Sequence, residues 1–215
     1  MNYIDLHTHQ LNKQNVFAIK NIFAQDYSKV LVNSLYSVGL HPWHIEKVDW
    51  VSCFEHIFEA SNDKNMLFVG ECGLDRSIDT TFVKQEECFK KQIEIASQLD
   101  KPLIIHCVRA YNDLIRIRKS IKLNIPLIIH GFNGNRETTL SLLTYGFYFS
   151  VGERFLFDER KNVNLELIPI NHLFLETDES AFSIETMYQK ASLILDLNEQ
   201  ELVLKVMENF KNILR

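Results

Sequence analysis

The chain alternates short apolar runs with longer stretches in which apolar residues recur every three or four positions. This alternation is typical of βα units around a parallel sheet. The runs that indicate strands, rich in Val, Ile, Leu and Phe, are residues 3–8, 16–22, 35–40, 66–71, 102–106, 125–130, 147–151 and 172–177. Several of them lack polar alternation, as expected for strands that are covered on both faces. The pattern therefore predicts an α/β fold of the TIM-type (β/α) barrel class.

Helical periodicity is clearest in the middle and at the end of the chain. Over residues 81–100 the apolar positions return to one side, and Pro102 follows shortly afterwards. Near the end, Asn198 and Glu201 have the spacing of a capping box ahead of an apolar stripe. Further helices are predicted over residues 50–60, 110–120 and 136–145.

The first quarter of the chain has little room for helices. Neither the stretch from His9 to Val16 nor the one between predicted strands 16–22 and 35–40 comfortably holds a full crossover. Such a crossover, helix included, needs about 10–12 residues or more. We therefore expect a barrel abbreviated in its first quarter, with one or two helices replaced by loops. No repeat or linker divides the chain, so we expect one domain over residues 1–215.

Composition adds limits on the class of protein. The chain has 215 residues, of which 46% are hydrophobic and 24% charged, as is ordinary for a soluble globular protein. Its formal net charge is -5, so it lacks the basic character typical of tight, non-specific binding to long nucleic acids. Any phosphate ligand must then be attracted locally, by metal ions and a few arginines.

The segments that usually indicate secretion or membrane insertion are not found in the sequence. The chain starts with strand-like MNYIDLH, and no apolar run approaches the length of a membrane span. The four cysteines form no CxxC pair, so we expect buried, reduced thiols. We expect a cytoplasmic protein with no membrane association and no obligate protein partner.

Histidine and acidic residues stand where the apolar runs stop. They are His7, His9, Glu71, His106, His130 and Asp178. Imidazole and carboxylate together suit zinc, manganese, iron or magnesium, and the carboxyl ends of barrel strands surround one pocket. A lone HxH pair is as often two buried, hydrogen-bonded histidines, but four of the eight histidines here close apolar strands. The set therefore predicts a metal centre.

The other histidines divide into two groups. His41 and His44, in the segment GLHPWH, follow a predicted strand, and we expect them to face the pocket and contact substrate or water rather than metal. His56 lies within a predicted helix and His172 begins a predicted strand. We expect structural or surface roles for both.

Six segments occur in a characteristic order along the chain. They are DLHTH, GLHPW, GECGLD, IIHCVRAYNDL, IIHGFNG and LETD. Together they resemble the motifs of the TatD-like metal-dependent hydrolases, a family of barrels in the amidohydrolase superfamily that includes TatD-related deoxyribonucleases. The resemblance implies Glu71 as a carboxylate that bridges two metal ions, and it implies a role at the site for His106, Arg109, His130 and Asp178.

The chain also departs from that family's pattern. It is shorter than typical members, and the region between HTH and GLHPW is contracted. After Glu176-Thr177-Asp178 it reads ESAFSIETMYQ, where members carry a substrate loop with proline and arginine. These departures leave the implied metal ligands in place.

The resemblance implies two divalent ions, with Mg, Mn and Zn all compatible with the ligands. The expected ligands are His7 and His9 for one ion, His106 and His130 for the other, with Glu71 between the ions and Asp178 binding an ion. Two ions about 3.5–4 Å apart suit phosphodiester cleavage by water. Asp178 and Glu71 are the expected catalytic residues, Asp178 by accepting a proton from the attacking water. The sequence has no GxSxG nucleophile motif, in agreement with direct water attack.

Three residues around this centre have two interpretations each. Arg109 is either a phosphate contact, which the resemblance favours, or a surface arginine at a helix start. Trp43 and Phe132 either stack on a base or pack at the barrel rim. Glu176 and Asp5 each precede an expected ligand by two positions, so each is placed to orient an imidazole.

Three functions remain open on the sequence. The leading one is a TatD-type deoxyribonuclease that cleaves phosphodiester bonds in DNA or in a small phosphodiester. The second keeps the metal site but cleaves an amide, ester or aminoacyl bond. The third is a barrel that binds metal or a partner without catalysis, and retention of the full ligand set argues against it.

Overall fold

The computed structural model describes residues 2–10, 14–27 and 34–215. Within them the strands are β1 (Tyr3–Thr8), β2 (Val16–Phe23), β3 (Tyr36–Gly39), β4 (Met66–Asp75), β5 (Leu103–Val108), β6 (Leu127–Ile129), β7 (Phe147–Val151) and β8 (Leu173–Leu175). The strands follow one another in the sheet in chain order, and the fold is a TIM-type barrel, as predicted.

Eight helices lie within the same described residues. They are α1 (Trp50–Ala60), α2 (Phe82–Gln98), α3 (Tyr111–Ser120), α4 (Arg136–Thr144), α5 (Glu153–Leu156), α6 (Glu159–Asn162), α7 (Ile184–Ile194) and α8 (Glu199–Ile213). Side-chain caps begin several of them. The carboxylate of Asp49 accepts from Ser52 N at 2.9 Å ahead of α1, and Asn198 accepts from Gln200 N at 2.8 Å ahead of α8.

The abbreviated first quarter is visible in the described residues. Between β1 and β2, residues 9–10 and 14–15 contain no helix. Between β2 and β3, residues 24–27 and 34–35 contain one 3-10 turn, Ala24–Asp26. The rest of the predicted loop in that connection, residues 28–33, lies outside the described residues.

Several strand boundaries differ from the sequence prediction, most of all the end of β4. Strand β4 continues past Glu71 to Asp75, because Cys72, Gly73 and Leu74 remain buried and pair with β5. At the other end of the chain, residues 170–172 form a 3-10 turn, so β8 begins later than predicted. Helices α5, α6 and α7 are additional to the predicted ones.

The chain divides into two compact units, Met1–Lys20 with Ile129–Arg215 and Asn21–Ile128. In the first unit, β1 pairs with β2 and β7 pairs with β8, in parallel. The buried Tyr188 ties α7 to β1, since its hydroxyl donates to Ile4 O at 3.1 Å and its ring meets Tyr3 edge-on at 5.1 Å. On α8, Asn209 Nδ2 donates to Leu173 O at 3.0 Å, which fixes the start of β8.

The second unit holds β3, β4 and β5 in parallel pairing, with α1, α2 and α3. Gln92, buried on α2, uses its side-chain amide to bond the backbone of Leu40, the residue that follows β3. Its Oε1 accepts from Leu40 N at 2.8 Å and its Nε2 donates to Leu40 O at 2.9 Å. A buried amide with both ends satisfied stabilises this junction, which precedes His41.

Gly73 lies where β4 approaches β5 most closely. Its φ is +150°, and a Cβ added there would be 2.0 Å from His106 O. Gly73→Ala is therefore expected to destabilise the chain by about 3 kcal/mol or more, through a backbone clash and an unfavourable φ. The measurement is the free energy of unfolding in urea.

Gly146→Ala is the matched control for that substitution. Gly146 also has a positive φ, +75°, but a Cβ there would meet nothing within 4 Å. Only the conformational cost remains, about 1 kcal/mol. Equal losses in the two variants would contradict the close approach of β4 and β5.

Within the described residues, no helix is both long enough and apolar enough to cross a membrane.

Candidate metal centre

The first unit brings His7, His9 and Asp178 together, a group that we call the β1–β8 cluster. His7 lies within β1 and His9 just beyond it, on the same side of the chain, with their rings 5.2 Å apart. Asp178 Oδ1 lies 3.8 Å from His7 Nε2 and 3.6 Å from His9 Nε2. Candidate ligand atoms of all three residues lie within 4.8 Å of one another. The HxH interpretation of the sequence therefore has the geometry of a chelating pair with a carboxylate beside it.

Backbone hydrogen bonds hold the β1–β8 cluster in place. Asp178 N donates to His7 O at 2.9 Å, and His9 N donates to Asp178 O at 3.3 Å. Asp178 has a φ of +51°, a left-handed conformation that aspartate tolerates better than most residues. Its side chain is 39% exposed, whereas that of His7 is fully buried. The carboxylate can therefore be reached by water while one of its imidazole neighbours cannot.

His130 and Glu176 lie beside this cluster in the same unit. The His130 ring lies 4.2 Å from that of His7, and Glu176 Oε1 lies 3.7 Å from His130 Nδ1. The same oxygen accepts from Gly131 N at 2.5 Å. Glu176 thus lies beside an imidazole, and its expected role in orienting that ring stays a prediction.

Asp5 has a different role from the one predicted. Its two carboxylate oxygens accept from Thr177 N at 2.9 Å and Thr177 Oγ1 at 2.7 Å. Burial raises the pKa of Asp5 to about 7, although the bonds from Thr177 oppose the shift. Asp5 therefore anchors the residue that precedes Asp178, and the expectation that it orients His7 is replaced by this contact.

The second unit brings His41, Glu71 and His106 together, a group that we call the β3–β5 cluster. Glu71 Oε1 lies 3.1 Å from His41 Nε2 and 2.9 Å from His106 Nδ1, and the two imidazole rings are 4.4 Å apart. Asn21 fixes the carboxylate from the other side: its Nδ2 donates to Glu71 Oε2 at 3.1 Å, and its Oδ1 accepts from Glu71 N at 3.1 Å. The buried carboxylate is held in one orientation with two imidazoles at one oxygen.

Asp75 extends the β3–β5 cluster along β4. Its Oδ2 lies 3.3 Å from His106 Nε2 and accepts from Trp43 Nε1 at 2.9 Å, while Ser77 donates to Oδ1. Burial acts to raise the pKa of Asp75, but the hydrogen bonds from His106, Ser77 and Trp43 outweigh it and hold the pKa well below its usual value. Asp75 is therefore a carboxylate that keeps the His106 ring oriented.

The sequence interpretation missed Asp75 and Asn21 and gave His41 a different role. Asp75 was recognisable, because residues 71, 73 and 75 share one face of a strand once β4 is known to continue. His41 was expected to contact substrate, and the structure brings it to Glu71 among the candidate ligands. Asn21 carries no motif, so no sequence signal identified it.

Several residues around the expected site can be placed directly. Phe132 is fully buried against Phe149, with ring centroids 4.6 Å apart, so the packing interpretation is correct and base stacking is not. Trp43 is 52% exposed, so both of its interpretations, base stacking and packing at the barrel rim, stay predictions. Arg109 is exposed directly after β5, with a left-handed φ of +54°.

His56, His172 and the cysteines agree with their structural interpretations. His56 Nδ1 lies 2.8 Å from Ala24 O, and His172 stacks on Tyr148 at 4.7 Å. All four cysteines are buried free thiols. Burial raises the pKa of Cys88 to about 12, which leaves it an unreactive thiol at neutral pH.

Both clusters fit a divalent cation. Each offers two imidazoles and one carboxylate whose candidate ligand atoms lie within 4.8 Å of one another. Mixed nitrogen and oxygen donors of this kind suit zinc, manganese, iron or magnesium.

A barrel fold that carries histidine and carboxylate ligand sets is suited to a metal-dependent hydrolase. Comparison with known families agrees: the profile of the family described as TatD related DNase matches residues 6–215. The chain therefore belongs to the TatD related DNase family, which confirms the resemblance drawn from its motifs.

Individual relatives carry related descriptions. An uncharacterized metal-dependent hydrolase from Buchnera aphidicola is 31% identical over 181 residues, which cover 79% of this chain and 66% of the relative. The 3'-5' ssDNA/RNA exonuclease TatD of Escherichia coli K12 is 30% identical over 149 residues, which cover 66% of this chain and 56% of the relative. The chain thus matches only about two thirds or less of the length of these relatives.

A solved structure shows the same fold along nearly the whole chain. The crystal structure of YJJV, a TatD homolog from Escherichia coli K12, superposes with a TM-score of 0.86 at 20% sequence identity. The match covers 99% of this chain and 97% of the other. At that identity the likeness concerns the fold alone.

Proposed function

We propose that this chain is a divalent-metal-dependent hydrolase that cleaves phosphodiester bonds in DNA. The observation that carries the proposal is the pair of ligand sets, each with two imidazoles and one carboxylate, on a chain of the TatD related DNase family. The names of the relatives, a metal-dependent hydrolase and a 3'-5' ssDNA/RNA exonuclease, support a nucleic acid substrate. We also propose that residues 1–215 act as one domain, because the family match spans residues 6–215.

We propose two divalent ions, one for each cluster, with Mg, Mn and Zn as the candidates. His7, His9 and Asp178 would hold one ion, with His130 beside them. His41, Glu71 and His106 would hold the other, which makes His41 a ligand rather than a substrate contact. The bridging role of Glu71 and the cytoplasmic location stay predictions from the sequence.

When bound, divalent ions lower the pKa of water from 15.7 to about 7 and balance the negative charge of a phosphodiester. The residues of the chain supply the rest. Asp178 Oδ1, partly exposed and backed by two imidazoles, accepts the proton of the attacking water. Glu71, clamped by Asn21, keeps the imidazoles of its own cluster in position. Arg109, exposed at the end of β5, is placed to contact a phosphate oxygen.

A substrate panel tests the type of bond that is cleaved. The purified chain, supplied with Mn²⁺ or Mg²⁺, should hydrolyse bis(p-nitrophenyl) phosphate and a single-stranded oligonucleotide. Small nitrophenyl amides and esters should remain intact, because the proposed activity is specific for phosphodiesters. Hydrolysis of the amides or esters with the phosphodiesters left intact would contradict the proposal and favour the second function.

A further inference from the structure

Two exposed phenylalanines stack on each other in the first unit. Phe157 follows α5, and Phe182 lies in the segment between β8 and α7. Their ring centroids are 5.0 Å apart and their planes differ by only 13°. The two residues are 42% and 43% exposed. A flat, parallel pair of rings thus remains open to solvent, and contiguous exposed aromatic surface is a feature of ligand- and partner-binding sites.

A polar network connects the Phe182 segment to the segment that carries Asp178. Ser180 N donates to Thr177 O at 2.8 Å, and Phe182 N donates to Ser180 Oγ at 3.1 Å. Ser180 Oγ in turn donates to Glu153 Oε2 at 2.6 Å, on the helix that precedes Phe157. Phe157 and Phe182 therefore lie on two segments that are hydrogen-bonded to each other. The segment with Phe182 directly follows Asp178, the proposed proton acceptor.

One cationic side chain lies beside the rings and can neutralise a phosphate. Lys190 Nζ, on α7, lies 5.8 Å from the centroid of the Phe157 ring. An aromatic platform with an adjacent ammonium group combines the two features that hold single-stranded nucleic acid, base stacking and backbone neutralisation.

We propose that Phe157, Phe182 and Lys190 form a base-stacking subsite, in which one base of a single strand packs on the rings and a phosphate lies near Lys190. This proposal rests on the proposed function and names the part of the substrate that is held. Stacking does not depend on base identity, because every base has a π-face, so the subsite would favour single strands without selecting a sequence.

The test is the affinity for a fluorescein-labelled oligothymidylate with phosphorothioate linkages, which resist cleavage, followed by fluorescence anisotropy. Phe182→Ala is expected to weaken binding about tenfold or more. Phe182→Leu, which keeps an apolar side chain of similar bulk, should weaken it as well. Binding of an abasic oligomer of the same length should be unchanged in both variants, because that ligand has no base to stack.

Lys190 is tested by salt dependence. Lys190→Met should lower the slope of log affinity against log salt concentration by roughly 0.7, the contribution of one phosphate contact on a single strand.

Phe58→Ala is the matched control for Phe182→Ala, since Phe58 is 39% exposed on α1 and lies outside the proposed subsite. Its affinity for the oligothymidylate should equal that of the unmodified chain.

Three results would overturn the subsite. They are unchanged oligothymidylate affinity in Phe182→Ala, an equal loss of affinity for the abasic oligomer, and conversion of a dimer to a monomer by Phe182→Ala in sedimentation. Failure of the proposed function would look different, because the unmodified chain would then leave bis(p-nitrophenyl) phosphate intact.

Discussion

Replacing Asp178 by asparagine is expected to abolish phosphodiester turnover while the fold and the metal at the β3–β5 cluster remain. The amide keeps the size and one oxygen of the carboxylate, and asparagine also tolerates the left-handed φ of +51° at this position. The backbone bonds from Asp178 to His7 and His9 do not involve the side chain. What is lost is the group that accepts a proton from the attacking water, and loss of a general base typically costs about 10²–10⁴-fold in rate.

The rate of bis(p-nitrophenyl) phosphate hydrolysis measures this effect, with elemental analysis to follow the metal. Asp196→Asn is the matched control, because Asp196 also has a left-handed φ, +50°, and is exposed in the same unit. It should retain the unmodified rate. An Asp178→Asn variant that hydrolyses the substrate at the unmodified rate would show that the proton acceptor is another group.

Glu71→Gln is expected to lower the metal content and to reduce turnover by at least about 100-fold. The carboxylate meets two imidazole nitrogens, at 3.1 and 2.9 Å, and its other oxygen accepts from Asn21. A glutamine removes the negative charge that attracts a cation. Loss of an outer partner of a ligand already costs about 10–100-fold in metal affinity, and loss of the ligand itself should cost more.

The fold was largely predictable because its signal is local and repeated. Helix α1 coincides with its predicted range, and α8 begins at the predicted cap, Asn198. Apolar period and capping chemistry act within a few residues, so the sequence contains them directly. Helices α5 and α6 are one turn long, and α5 has no side-chain cap, so their formation depends on tertiary contacts that the sequence pattern does not show.

The predicted end of β4, Glu71, was wrong as a strand boundary, although Glu71 does lie among the candidate ligands. Glu71 was taken as the end of an apolar run, but a polar side chain inside a strand need not end it when its partners are also buried. The strand continues, and Asp75 then reaches His106. The pairing of strands decides which polar residues meet. Asn21 on β2 and Glu71 on β4 are an example, because neither apolar run by itself shows that the other residue will be its partner.

Aromatic residues near the site were the least predictable. Phe132 directly follows the predicted ligand segment but is fully buried, whereas Phe157 and Phe182, which carry no motif, form the exposed stacked pair. Burial of a single ring depends on which elements pack over it. Hydrophobicity along the chain does not distinguish a core ring from one that is presented to a ligand.

Elemental analysis of the purified chain and of Glu71→Gln, with phosphodiester hydrolysis assayed before and after chelation, tests the central claim most directly. The exposed Glu55→Gln on α1 serves as the control for loss of one charge. We predict divalent metal in the unmodified chain and in the control, less in Glu71→Gln, and activity that chelation removes and Mn²⁺ restores. Hydrolysis that continues undiminished in chelated, metal-free protein would contradict the account.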